Sequence, residues 1–299
     1  MADERMPLPV DDAAVQGSAP VHDRAIGEII GQTRNLSADQ IEKILAHQRE
    51  HRMRFGEAAI ALGYASMDDV LYALAQQFHY PYAAEPQRKL NPELVALNQP
   101  FSQQAEAFRA IRTQVMMRVF PEGGGARKAL AVISPNSGDG KTYFAANLAV
   151  TLAQLGGRTL LVDADLRGPR QHDVFHMRNT SGLSGILSGR PEKQVVQQVK
   201  GVPSLFLLPV GITPPNPLEL VERPAFGLLM RELTNKFDHV VVDTPAAMYG
   251  ADGQVIAARC GAALIIARKD AARVRALQDL TASVADTSAV IAGVVVNEY

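Results

Sequence analysis

Ser134-Pro135-Asn136-Ser137-Gly138-Asp139-Gly140-Lys141-Thr142 follows an apolar run at 129–133 and leads straight into Phe144-Ala145-Ala146-Asn147-Leu148-Ala149, a stretch of helical composition. Glycines let the backbone fold tightly enough for successive N–H groups to point into one hollow, and the start of a helix adds partial positive charge. Such a hollow suits phosphate. Lys141 has the reach for β- and γ-phosphates, and the Thr142 hydroxyl is placed to ligate Mg²⁺. The spacing departs from G-x-x-x-x-G-K-[ST] in one respect, because Pro135 stands at the first glycine position.

Outward from this loop, two further apolar runs end in acid: Leu160-Leu161-Val162-Asp163-Ala164-Asp165-Leu166-Arg167 and Val240-Val241-Val242-Asp243-Thr244-Pro245. One such aspartate would be an ordinary turn former. Three of them beside a phosphate loop are placed to hold Mg²⁺, which prefers a few hard oxygen ligands and keeps much of its water. Apolar segments of strand length (129–133, 159–162, 205–208, 239–242, 262–266, 291–296) alternate with helical ones (from Lys141, near 225–234). That alternation predicts an α/β domain, with crossover helices on both faces of a buried, mainly parallel sheet. Ligands in such sheets lie at the carboxyl ends of the strands. A further helix is expected at 106–119, with Phe108, Ile111, Val115 and Val119 on one face.

Upstream the pattern changes. A shift of 29 positions maps Ile26-Gly27-Glu28 onto Phe55-Gly56-Glu57, Ser37 onto Ser66 and Gln48 onto Gln77, which reads as a duplication. Each copy places a serine before an i, i+3, i+4 apolar run, the signature of an N-capped amphipathic helix. The expected organisation is a leader at 1–22 that is too polar to order itself, a small helical domain at 23–82, a proline-punctuated linker at 83–103 and the nucleotide-binding domain at 104–299.

Bulk composition narrows the classes. A net charge of -1 over 299 residues supplies no field for collecting nucleic acid, and we expect none to bind. The single cysteine, Cys260, allows no internal disulfide and reads as a small core residue. No basic start precedes an apolar run at the N-terminus, and no apolar stretch approaches the ~18 residues of a spanning helix, so the expectation is a cytoplasmic protein that meets a membrane only through a partner.

These motifs resemble the bacterial tyrosine kinases, the kinase domains of polysaccharide co-polymerases, which share the deviant P-loop fold of partition and septum-placement ATPases. In that resemblance the 134–142 loop is the Walker A motif, Asp163-Ala164-Asp165-Leu166-Arg167 the additional Walker A′ and 240–245 the Walker B. Glu106-x-x-Arg109-x-x-Arg112 is similar to the kinases' subunit-contact motif, and Gly211-Ile212-Thr213-Pro214-Pro215-Asn216-Pro217-Leu218-Glu219-Leu220 to their proline-rich loop. The resemblance covers about residues 104–299. It implies ATP and Mg²⁺, held by Ser137, Gly138, Asp139, Gly140, Lys141, Thr142 and Tyr143. Thr142, Asp165 and Asp243 would serve the metal, Lys141 the phosphates, and Asp163 the attacking hydroxyl. Asn297 is either an adenine contact or a capped strand end. Glu106, Arg109 and Arg112 are either surface ion pairs or the seam of a homo-oligomeric ring.

By the same resemblance, the protein is expected to phosphorylate tyrosine and to regulate exopolysaccharide chain length or export with a membrane chain-length regulator. The kinases carry a terminal tyrosine cluster, whereas this sequence stops at Tyr299, two residues past Asn297, a reach of only about 7 Å. The alternatives are therefore a reduced tail, an acceptor elsewhere, or a nonkinase ATPase switch for assembling or positioning a secretion or polysaccharide machine. The duplicated domain is similar to the helical domain at the front of type II secretion and pilus ATPases, some of which bind cyclic di-GMP. Arg54 precedes Phe55-Gly56 in the second copy, but Ala25 stands at the equivalent place in the first.

Overall fold

The computed structural model describes residues 26–77, 91–121, 123 and 126–298. The expected leader, the first part of the expected linker, Tyr80, Tyr82 and Tyr299 lie outside them. Two compact units are present, one within Asp12–Lys89 and the other within Leu90–Tyr299.

Among the described residues the first unit has four helices: α1 (Ile26–Thr33), α2 (Ala38–His51), α3 (Phe55–Ala61) and α4 (Met67–Gln77). Ser37 and Ser66 act as the sequence predicts. Ser37 Oγ accepts from the Gln40 amide at 3.3 Å while Gln40 Oε1 accepts from the Ser37 amide at 2.8 Å. Ser66 and Asp69 repeat the exchange ahead of α4, at 3.2 and 2.6 Å. The duplication reappears in the core, where Ile30 and Ile44 of one copy and Ala59 and Ala73 of the other are all fully buried. Gly56 is small because a Cβ there would lie 2.7 Å from the Val70 side chain. Arg34 of the first copy ties Asp69 of the second at 2.7 Å.

The second unit begins with α5 (Val95–Asn98), inside the expected linker. Leu94, Val95, Ala96 and Leu97 supply an apolar turn that packs instead of remaining solvated. Asn147 fastens it, accepting from the Ala96 amide at 2.9 Å and donating to the Glu93 carbonyl at 2.8 Å. Helix α6 (Gln103–Val119) starts three residues before the expected boundary because Ser102 caps it, accepting from the Ala105 amide at 3.1 Å.

There follow β1 (Ala129–Ile133), α7 (Lys141–Ala153), β2 (Thr159–Asp163), α8 (Gln171–Val174), α9 (Leu183–Leu187), β3 (Gln197–Gln198), β4 (Leu205–Leu208), α10 (Pro217–Glu222), α11 (Pro224–Lys236), β5 (His239–Asp243), a 3₁₀ turn (Ala247–Tyr249), α12 (Asp252–Cys260), β6 (Gly261–Arg268), α13 (Val274–Ala285) and β7 (Val290–Asn297). The seven strands pair in the order β3-β4-β2-β5-β1-β6-β7, parallel throughout except at the short edge pair β3–β4. The two-residue β3 has no apolar run and escapes a reading based on pattern.

Strands β1, β2 and β5 are buried along their whole length, as a sheet covered on both faces requires. With side chains alternating between faces, Ala131, Ile133, Leu160, Val162, Val240 and Val242 join one cluster with Phe226, Ile256 and Leu280 from α11, α12 and α13. The intervening Leu130, Leu161 and Val241 are equally buried and point the other way, toward α7. Cys260 is in the first cluster, where burial raises its thiol pKa, in keeping with a core role. Among the described residues no helix is long and apolar enough to cross a membrane.

Candidate nucleotide and metal site

The 134–142 loop leaves β1 and enters α7 at the carboxyl edge of the sheet. Gly138 (φ 82°) and Gly140 (φ 98°) both adopt the left-handed region that favours glycine. A Cβ at Gly140 would also sit 2.3 Å from Asn297 Nδ2. The loop braces itself: Ser134 Oγ donates to the Asn136 carbonyl at 2.7 Å, and Asp139 Oδ2 accepts from the Asn136 amide at 2.9 Å. Gly140 caps α7 without any side chain on the first-turn amides, so that end of the helix keeps its free N–H character. Lys141, the first helical residue, is buried.

Strand order completes the site. Because β5 lies between β2 and β1, Asp163 and Asp243 are register partners at adjacent strand tips, and Asp243 also pairs with Val132 next to the loop. Both aspartates are fully buried. Burial pushes the Asp243 pKa up to about 6, even though Lys141 and the Thr142 hydroxyl pull it down. Burial and then the neighbouring charge of Asp243 raise Asp163 well above the usual carboxylate range. Asp163 holds the following turn: Oδ1 accepts from the Asp165 amide at 3.2 Å, and Oδ2 from the Arg170 and Gln171 amides at 3.2 and 3.0 Å. Asp165 is half-buried and accepts from the Arg167 and Gly168 amides at 3.2 and 2.9 Å.

The residues present fit a hard divalent cation. Asp243 Oδ1 is buried with no hydrogen-bond partner, beside a hydroxyl and a second carboxylate, and the donors are all oxygen, the set Mg²⁺ favours. Three carboxylates against one lysine leave a negative excess that a cation would neutralise.

Gln171 has no motif behind it, and Arg167, the last residue of the 163–167 motif, gains a partner that the motif does not name. Gln171, fully buried at the start of α8, donates from Nε2 to Asp243 Oδ2 at 2.9 Å and to the Thr142 carbonyl at 3.1 Å. Its own Oε1 has no partner. Arg167 grips Asp252, the first residue of α12, with two bonds of 3.2 and 3.0 Å. A glutamine six positions beyond Asp165 carries no signal in a single sequence; only the fold of the intervening turn brings it in.

The remaining expected residues are distributed around this centre. Asn297 reaches the loop and donates Nδ2 to the Asp139 carbonyl at 3.1 Å. Tyr143 packs its ring on Phe108 with centroids 5.8 Å apart, at the rim of a cavity of about 410 Å³ between α6, α7 and the end of β7. The Ser137 amide turns outward to Met248 Sδ at 3.3 Å. The Glu106 stripe is engaged within the chain. Arg109 pairs with Glu106 at 2.7 Å and donates to the Pro100 carbonyl, while Arg112 donates to the Thr151 carbonyl at 3.0 Å.

Residues 130–299 match the CobQ/CobB/MinD/ParA nucleotide binding domain family. The tyrosine-protein kinase YwqD of Bacillus subtilis is 34% identical over 168 residues, 56% of this chain and 70% of that protein. The chain belongs to the bacterial tyrosine kinase family. The kinase domain of the Escherichia coli tyrosine kinase ETK superposes with a TM-score of 0.65 at 28% identity, covering 70% of this chain and 80% of that one. The fold extends beyond the kinases: the septum site-determining protein MinD of Pyrococcus horikoshii, complexed with Mg-ADP, matches at a TM-score of 0.50 and 20% identity over 57% of this chain and 70% of its own. Other bacterial tyrosine kinases are much longer, and this chain spans 24% of their length. That likeness is one of fold, and the kinase family is the branch to which this sequence belongs.

Proposed function

We propose that the chain transfers the γ-phosphoryl group of MgATP to a tyrosine hydroxyl, and that in doing so it regulates exopolysaccharide chain length or export together with a membrane chain-length regulator. The observation that carries the reading is the meeting of Lys141, Thr142, Asp163, Asp165 and Asp243 at the ends of three adjacent strands, in a member of a tyrosine kinase family. In this reading Lys141 and the first-turn amides of α7 hold the phosphates, and Thr142, Asp165 and Asp243 hold Mg²⁺. The ion, when bound, neutralises charge on the phosphates.

The tyrosine oxygen forms its bond to the γ-phosphorus as the bond to the bridging β–γ oxygen breaks, ADP leaves, and the phenolic proton passes to Asp163. Ser137, Gly138, Asp139 and Gly140 would line the phosphates, with Tyr143 and Asn297 as further nucleotide contacts. Glu106, with Arg109 and Arg112 behind it, is proposed as the seam of a homo-oligomer; it is the most exposed member of its ion pair with Arg109.

The test is to incubate the purified chain with ATP and Mg²⁺, alone and with candidate regulator tails, then to map phosphotyrosine and measure phosphate release. Phosphotyrosine that disappears in Lys141→Met is expected. Phosphate release with no phosphotyrosine on any partner would replace the kinase reading with an ATPase switch.

A further inference from the structure

Outside the nucleotide site, one cluster of ligand-bearing side chains meets on a single face of a helix. His47, Glu50 and His51 occupy positions i, i+3 and i+4 in the last turn of α2, the spacing that stacks side chains one above another. Each offers one ligand atom, and the three atoms lie within 4.8 Å of one another. The two imidazoles are already side by side, with ring centroids 4.0 Å apart and planes 35° from parallel.

Tetrahedral zinc, with bonds of about 2.0–2.1 Å, needs donors about 3.3 Å apart, so rotamer adjustments of an ångström or so would close the set. Glu50 and His51 are exposed and His47 half-buried, so the adjustment moves no core residue. Two imidazoles and a carboxylate suit zinc and its neighbours in the first transition row better than the Mg²⁺ of the phosphate site, whose donors are all oxygen. The carbonyl end of the helix also favours a cation. Against it stand the positive charges of Arg49 and Arg52 nearby in sequence and of Lys43 one turn earlier.

We propose that His47, Glu50 and His51 form a zinc-class divalent metal site with one or more coordination positions left for water or an outside ligand. Its place in the fold gives it a consequence. Helix α2 ends the first repeat, Arg52 turns the chain with φ 51°, and α3 opens the second. A metal chelated across the last turn of α2 holds that turn against fraying at the point where the first copy ends, and so stabilises the helix whenever metal is present.

The full-length chain is titrated with zinc chloride by calorimetry in saturating Mg²⁺, which occupies the oxygen-rich phosphate site, and with Co²⁺ followed by visible absorption. One saturable zinc site is expected, weakened at least tenfold in His47→Gln and again in His51→Gln, with a smaller loss in Glu50→Gln. The Co²⁺ band should vanish in both histidine variants, and zinc should raise the melting temperature of the wild type only. Far-UV circular dichroism verifies that the variants fold. Absence of a saturable site, or one that survives both histidine substitutions unchanged, overturns the proposal.

Discussion

Gln171 Nε2 hydrogen-bonds Asp243 Oδ2 at 2.9 Å while the backbone amide of the same residue bonds Asp163 Oδ2 at 3.0 Å, so one buried side chain and its own peptide tie together the acidic tips of β2 and β5. The third link, to the Thr142 carbonyl, joins both to the 134–142 loop. Gln171→Leu removes the side-chain links but keeps the peptide one. It should lower ATP turnover at least tenfold and cost about 1–3 kcal/mol of stability in urea denaturation, since a buried carboxylate oxygen loses its donor. Unchanged turnover would show that Gln171 serves packing alone.

Gly140→Ala is opposed twice, by a φ of 98° and by contact with Asn297 Nδ2. Nucleotide affinity, read by fluorescent ADP-analogue binding, should fall more than tenfold. Adding Asn297→Ala removes the contact but not the backbone strain, which costs roughly 1 kcal/mol, so the double variant should recover part of the affinity and not all.

Asp243 gives a pH prediction whose sign is set by its folded-state pKa of about 6, above the ordinary carboxylate value. Between about pH 4 and 6 the unfolded chain gives up this proton before the folded one does, so stability associated with the protonated group is lost as pH rises through that window. Without divalent metal, Asp243→Asn should therefore be more stable than wild type at pH 7.5, by an amount on the order of 2–3 kcal/mol from a shift of about two units, and about equal to it at pH 4. Mg²⁺ and ATP should reverse the order at pH 7.5 and leave the variant impaired in turnover. Denaturation curves at the two pH values, with and without MgATP, measure both effects.

Asp69 has the opposite sign. Its burial raises the pKa, but Arg34 and the Ser66 hydroxyl and amide outweigh that, leaving it below the usual value. The stabilisation is present above about pH 4 and is lost as pH falls through the folded-state pKa. Ser66→Ala should cost about 1 kcal/mol through the lost cap, and Asp69→Asn should be destabilising at neutral pH, by an amount that shrinks as pH falls below about 4. Hydrogen exchange of the α4 amides reports this unit directly.

Local chemistry made much of the second unit legible. The apolar runs at 129–133, 159–162 and 239–242 are the central strands because strands buried on both faces are apolar at every position, and Gly138 and Gly140 mark the turn because their left-handed φ values suit glycine. The same holds for Ser37 and Ser66, whose capping depends on residues three positions away. The short β3, with no apolar pattern, and the buried turn α5, inside a proline-bearing stretch, were not legible.

From sequence alone, then, came the α/β class, the glycine-bearing turn between β1 and α7 and the aspartates at or just past strand ends, all of which depend on neighbours a few residues apart. Tertiary structure decided which strands adjoin, and hence that Asp163 and Asp243 share a register, that both are sealed from water, that Gln171 bridges them and that Asn297 closes on Gly140. The link from Gln171 to Asp243 spans 72 positions and that from Asn297 to the Asp139 carbonyl, beside Gly140, spans 158. They are set by strand order and register, which arise from the packing of the whole sheet and leave no trace in any short window of the chain.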